Sequence, residues 1–170
     1  MDEKNTKHIL SIMVDNEPGV LARVVGLFSG RGYNIESLSV SEVDSHKFLS
    51  RITVVTSGTK LIVDQIKAQL GKLIPVHNLV DITELDSFLG KELILVKLDA
   101  KNKNLTNLLD ELKKTGIKIL LENKNELIVE YAGTPEEITK LVKLLKNTKI
   151  IEQTRSGLVS IATGTDYIKK

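Results

Sequence analysis

The sequence predicts an α+β chain made of two ferredoxin-like βαββαβ units. Three observations carry that prediction. Short β-branched runs alternate with apolar stripes at helical spacing, the order strand, helix, strand, strand, helix, strand occurs twice, and residues 83–91 separate the two runs. The halves share this order without a recognisable sequence repeat, which argues against a solenoid. The expected division is 1–82, a linker at 83–91, and 92–170.

The first strand is HILSIMVD, residues 8–15, short, apolar and β-branched. A turn with Asn16, Pro18 and Gly19 follows, and Val20, Leu21, Val24, Leu27 and Phe28 then fall on one helical stripe. Pro18 suits a first turn, where its missing N–H costs nothing, and Gly30 and Gly32 suit a left-handed exit. Residues 33–43 read as a strand whose phase slips between Ile35 and Leu38, as at a bulge. Asp44, Ser45 and His46 make a hairpin turn into a strand at 48–56, with Phe48, Ile52 and Val54 on one face. A helix from about Thr59 to Leu70 buries Ile62, Ile66 and Leu70, and a strand at 75–82 closes the unit.

In the second unit a strand spans 92–99, and Leu105, Leu108, Leu109 and Leu112 stripe a helix that stops before Gly116. Strands at 117–122 and 126–132 meet across Asn123, Lys124 and Asn125. Thr134, Pro135 and Glu137 form a capping box before the stripe Ile138, Leu141, Val142, Leu145. A strand at 149–154 and an additional one at 158–162 end the pattern. Units of roughly 80 residues are marginal alone and leave open sheet edges, so self-association, most simply as a two-fold dimer, is expected.

Composition narrows the function classes. The chain has 170 residues, 41% hydrophobic and 27% charged, no cysteine, and a formal net charge of +2. Without cysteine there is no disulfide, thiol catalysis or Cys-ligated zinc. No apolar run approaches the roughly 18 residues of a membrane span, and MDEKNTKH is no targeting peptide, so a cytoplasmic location is expected. Charges of both signs are interspersed, and the six Phe and Tyr do not form a base-stacking arrangement, so nucleic acid is not an expected partner. His8, His46 and His77 have no ligand spacing, and Asp15 with Glu17 reads as turn chemistry, so neither a metal nor a catalytic group is expected.

The stretch NEPGVLARVVGLFSGRGYNIESL, residues 16–38, places an asparagine and a glycine turn at each end of one short helix. A helix start offers free N–H groups and partial positive charge to a carboxylate, and Gly19 lets a ligand approach the backbone. Asn16 can accept from an ammonium group or donate to a carboxylate. Asn34 and Ile35 lie a helix length away, so they meet Gly19 only across a symmetry axis. A well-capped helix with a glycine exit explains the same residues equally well.

The run ILSIMVDNEPGVLARVVGLFSGRGYNIESLSVSEVD, followed by LSRITVVTSG, resembles the N-terminal ACT domain of the acetolactate synthase small, regulatory subunit family; IIEQTRSGLVSIATG near the end is similar to the same family. The resemblance implies an ACT fold for the first unit and a subunit with no catalytic activity of its own. It implies a partner, the thiamine-diphosphate-dependent large subunit, that is activated and placed under feedback inhibition by a branched-chain amino acid, usually valine. Thiamine diphosphate, Mg and FAD are then expected only in that partner, and this chain carries no cofactor. By position, the implied effector residues are Asn16, Gly19, Val20 and Leu21 from one chain with Asn34 and Ile35 from the other, in a homodimer formed through the ACT domain. Arg155, in the run Arg155, Ser156, Gly157, is either a contact to the large subunit or an ordinary surface arginine. The alternative reading is a stand-alone amino-acid sensor serving a different enzyme or transcription factor. The choice among valine, leucine and isoleucine stays open, because one methylene in an apolar pocket shifts affinity by only ~1–3 kcal/mol.

Overall fold

The computed structural model describes residues 5–102, 105, 108 and 115–164. The first unit runs β1 (Thr6–Asp15), α1 (Val20–Ser29), β2 (Ser37–Asp44), β3 (Leu49–Gly58), α2 (Lys60–Leu70) and β4 (Val76–Asp81). Its sheet has the order β2-β3-β1-β4, and every neighbouring pair is antiparallel. Alternation along β1 and β3 sends Leu10, Ile12, Val14, Ile52 and Val54 to one face. There they meet Val20, Val24 and Phe28 of α1 and Val63, Ile66 and Leu70 of α2. Burying each such side chain contributes about 1.5–3 kcal/mol, so this contact decides which face of each helix turns inward.

The second unit repeats the plan with β5 (Phe88–Asp99), β6 (Lys118–Glu122), β7 (Glu126–Gly133), α3 (Pro135–Leu145) and β8 (Ile150–Arg155). Its strand order is β6-β7-β5-β8. Ile94, Val96, Leu98, Leu127 and Val129 pack with Ile138, Leu141 and Leu145. Thr134 and Glu137 cap α3 reciprocally, as the sequence pattern predicts. The helix expected over Leu105–Leu112 lies mostly outside the described residues; Leu105 and Leu108 are helical, and Leu105 is buried in this core.

Four expectations need correction. The strand expected at 33–43 begins only at Ser37. Gly32, at φ 70, turns the chain sharply, and the Tyr33 N–H donates back to the Phe28 carbonyl (3.0 Å). Tyr33 and Ile35 therefore pack on the core from a loop, which accounts for the phase slip; Gly30 keeps ordinary right-handed helical angles. Phe48 does not face the core: it sits in the β2–β3 turn at φ 52 with two-thirds of its surface exposed (66%). Residues 83–91 are not a plain linker. Asp81 caps a 3-10 turn at Ile82–Glu84 through Thr83, Ile82 is fully buried, and β5 already starts at Phe88.

The fourth correction concerns the end of the chain. Met1–Gly90 with Leu158–Lys170 make one compact unit and Lys91–Gly157 the other, so residues after 157 do not belong with the second half. Within the first unit, Ile9 and Val55 face away from the helices and form a separate buried cluster with Ile82 and Leu158, flanked by Phe88. The Leu158 N–H donates to Ser37 Oγ (3.0 Å), and Arg51 Nη2 donates to the Ser160 carbonyl (2.9 Å). The strand expected at 158–162 is present as β9 (Val159–Ala162) and pairs with β5, whose first residues, Phe88–Gly90, belong to the first unit as β9 does. Local pattern identified the strand; its place depends on which apolar surface remained uncovered.

Candidate functional site

β1 ends at Asp15 and releases the chain into the turn Asn16, Glu17, Pro18, Gly19. Gly19 stands at the N-cap of α1 with φ 85, and no side chain caps this helix. Thr59 and Thr134 cap α2 and α3 in the usual way. A capping side chain would satisfy the first free N–H groups of a helix; at α1 none does so, and no acidic side chain lies in the first turn. The first internal bond runs from the Arg23 N–H to the Gly19 carbonyl (3.0 Å). Nothing lies within 4 Å of where a Gly19 Cβ would stand, so the backbone there is open to approach.

Asn16 is held from the β2–β3 hairpin. Its backbone N–H donates to the Phe48 carbonyl (2.6 Å), and its side-chain Nδ2 donates to Glu42 Oε1 (3.3 Å). With Nδ2 engaged in this way, Oδ1 is the group of the amide left to accept. Val20 is buried under the turn (4% exposed), its N–H reaching the Glu17 carbonyl (3.3 Å). Leu21 is 40% exposed, which separates it from the core stripe where periodicity placed it.

Asn34 and Ile35 sit beyond the other end of α1, about 15 Å away for ten residues at 1.5 Å each. The Asn34 carbonyl accepts from Thr56 Oγ1 (2.7 Å), and Ile35 is half-buried against the core. The next residue, Glu36, accepts from the Ser57 hydroxyl and pairs with Lys7 (3.1 Å). The Ser57 hydrogen bond is the main cause that holds the Glu36 carboxyl below the ordinary range; burial, next in size, opposes it, and Lys7 adds to the lowering. One chain thus brings Asn16, Gly19, Val20 and Leu21 together and keeps Asn34 and Ile35 apart from them.

Sequence reasoning missed Glu42, Phe48 and Thr56, which orient Asn16 and Asn34. The signal was the register: Asp15 opposite Leu49 puts residue 16 beside residue 48. His8 and His77 have structural partners. His8 Nδ1 meets Asp81 Oδ2 at 2.7 Å in a buried pair whose Asp81 also holds Thr83, and His77 Nε2 meets Asp15 Oδ1 at 2.5 Å. Arg155 is paired with the buried Glu92, Nε to Oε2 at 2.9 Å. Among the described residues no three His, Cys, Asp or Glu side chains gather as a metal site, and no helix is long and apolar enough to cross a membrane.

Residues 10–78 match the family described as AHAS small subunit-like ACT domain, and 91–164 match that described as small subunit of acetolactate synthase. The chain is 37% identical over 164 residues to the acetolactate synthase small subunit of Mycolicibacterium smegmatis, covering 96% of this chain and 95% of that protein. It is 35% identical to the small subunit of acetolactate synthase isozyme 3 of Salmonella typhimurium, with coverage of 96% and 99%. The crystal structure of the acetolactate synthase small subunit from Thermotoga maritima superposes with a TM-score of 0.86 at 26% identity, over 95% of this chain and 99% of that one.

Proposed function

The chain belongs to the acetolactate synthase small-subunit family, and from that premise we propose that it is the non-catalytic regulatory subunit of acetolactate synthase, activating the large subunit and conferring feedback inhibition by valine. The observation that carries the effector site is the start of α1, where an uncapped helix end meets a glycine at φ 85 with open space over it. Free N–H groups and the partial positive charge of the helix start receive the ligand carboxylate there. Asn16 donates to Glu42, so its Oδ1 accepts from the ligand ammonium. Ile35 of a second copy lies against the isopropyl group, and Asn34 of that copy supplies a backbone contact near the ammonium.

In this reading the site is complete only in a homodimer, with the helix start of one chain facing the loop before β2 of the other. A ligand that bridges two chains stabilises one dimer geometry, and linkage passes the difference to the bound large subunit, typically ~1–3 kcal/mol or about 5- to 150-fold in affinity. Thiamine diphosphate, Mg and FAD belong to the large subunit. The match of 91–164 to the small-subunit family favours this role over a stand-alone sensor, which needs only the first unit.

Calorimetric titration with L-valine, L-leucine, L-isoleucine and D-valine tests the site. Selective, saturable binding of an L-branched-chain amino acid is expected. A folded dimer that binds none of them, alone or with the large subunit, removes the effector reading.

A further inference from the structure

The loop between α1 and β2 is tied down at both ends and in its middle. The Tyr33 N–H donates to the Phe28 carbonyl (3.0 Å), and the Glu36 N–H donates to the Val55 carbonyl (2.8 Å). Between them the Asn34 carbonyl accepts from Thr56 Oγ1 (2.7 Å). The two end ties are backbone bonds, open to almost any sequence. The middle one needs a hydroxyl at one position of β3. Thr56 is 1% exposed and Asn34 is exposed, so this bond joins a solvent-facing loop to the interior of the sheet.

Alternation along β3 puts Thr56 on the same face as Ile52 and Val54, in line with the core. Valine has nearly the same shape and suits a strand as well, and two valines directly precede Thr56. A buried hydroxyl costs stability unless it is bonded, and here its one donor goes to Asn34. The bond also has a direction. A carbonyl oxygen accepts along two lone pairs, and Thr56 takes one, which fixes where the other points. Glu42 holds Asn16 in a comparable way, but that bond is exposed and 3.3 Å long, so water can take its place. The Thr56 hydroxyl is buried, and a side chain without it leaves the Asn34 carbonyl without that donor.

We propose that Thr56 is a positioning residue for the effector: it aims the Asn34 carbonyl so that the second lone pair receives the ligand's ammonium group, and thereby sets selection of an α-amino acid over a carboxylic acid of the same shape. This deepens the effector site given above and rests on it. In that site the ligand carboxylate is held elsewhere, by the start of α1 at Gly19. Loss of the Thr56 hydroxyl therefore weakens the ammonium contact and leaves the carboxylate contact in place. A residue that only supports the fold would weaken both alike.

The probes are L-valine and 3-methylbutanoate, which keeps the carboxylate and the isopropyl group and lacks the ammonium. L-valine is titrated calorimetrically into the full-length chain, and 3-methylbutanoate is read by competition against it, for wild type, Thr56→Val, Thr56→Ala and Thr56→Ser. Wild type is expected to prefer L-valine about ten- to hundred-fold, the size of a hydrogen bond to a charged group. In Thr56→Val and Thr56→Ala the L-valine affinity is expected to fall about ten-fold with 3-methylbutanoate unchanged. Alanine leaves the carbonyl room, so a loss shared by both variants comes from the missing hydroxyl and not from a methyl set against the oxygen. Thr56→Ser keeps the hydroxyl and is expected to restore the preference. Wild-type preference in both Thr56→Val and Thr56→Ala overturns the proposal. Equal weakening of the two ligands also overturns it and leaves Thr56 a support of the fold, as does a Thr56→Ser variant no better than Thr56→Ala. A wild-type chain that binds no branched-chain amino acid, alone or with the large subunit, removes the effector site and the role of Thr56 together.

Discussion

Gly19 is the residue at which conformation and proposed chemistry meet. Its φ of 85 favours glycine, and a Cβ there would meet no neighbour. Aspartate tolerates the left-handed region better than most side chains, so Gly19→Asp leaves the turn formable while setting a carboxylate against the ligand's own. Activation of the large subunit should persist, and the valine concentration for half-inhibition should rise by about 10-fold or more, a size within ordinary allosteric coupling. Normal valine sensitivity in that variant would place the site elsewhere. Leu21 and Phe28 separate two roles that periodicity had merged. Phe28 is fully buried, so Phe28→Ala should cost about 3–5 kcal/mol of stability in urea denaturation. Leu21 is 40% exposed, and Leu21→Ala should cost under about 1 kcal/mol, leaving any change in valine affinity readable. Equal destabilisation by the two would return Leu21 to the core.

At the scale of elements, what was legible follows from which interactions are local. The capping box of α3 needs only residues 134 and 137, and it formed as read. Thr134→Ala should lower the stability of the second unit by about 1 kcal/mol at neutral pH, seen as a lower urea midpoint. Glu137 adds a pH dependence of known sign. The Thr134 N–H first, and Lys91 after it, hold its carboxyl below the ordinary value. Its contribution is therefore present above the unfolded value near about 4.3 and lost as pH falls through the depressed folded one. Wild type should lose more stability than Glu137→Gln over that acid window; parallel losses would mean the carboxylate is not felt. The loop at 33–36 was not legible, because Tyr33 and Ile35 contact the core as strand residues would, and only Gly32 and the bond to the Phe28 carbonyl break the strand. Phe48 was misplaced for the opposite reason: alternation through Ile52 and Val54 extrapolates to it, but the ladder stops at Leu49. The two ends of the proposed site were legible as glycine and asparagine turns, while the residues that hold them needed the register.

At the scale of the whole molecule, the chain leaves its first unit, builds the second, and returns. No local pattern reports that return, since VSIA is as good a strand in either sheet. Leu158 is what ties it: 4% exposed, against Ile9, Val55 and Ile82. Leu158→Ala should cost about 2–5 kcal/mol, and hydrogen exchange should show the loss in β1 and β3 of the first unit while α3 keeps its protection. Loss confined to the second unit would contradict the division described above.

That return imposes an order on synthesis. Residues up to the 3-10 turn hold everything the first sheet and its two helices need, whereas the residue that seals the other face lies 74 positions beyond Glu84. At ribosomal speeds of about 5–20 residues per second, roughly 4–15 s separate the two. Throughout that interval a nascent chain carries a formed sheet with Ile9 and Val55 bare, long after the sheet itself has had time to fold. It is during this wait, more than in the finished molecule, that chaperones and neighbouring nascent chains meet the protein's stickiest surface.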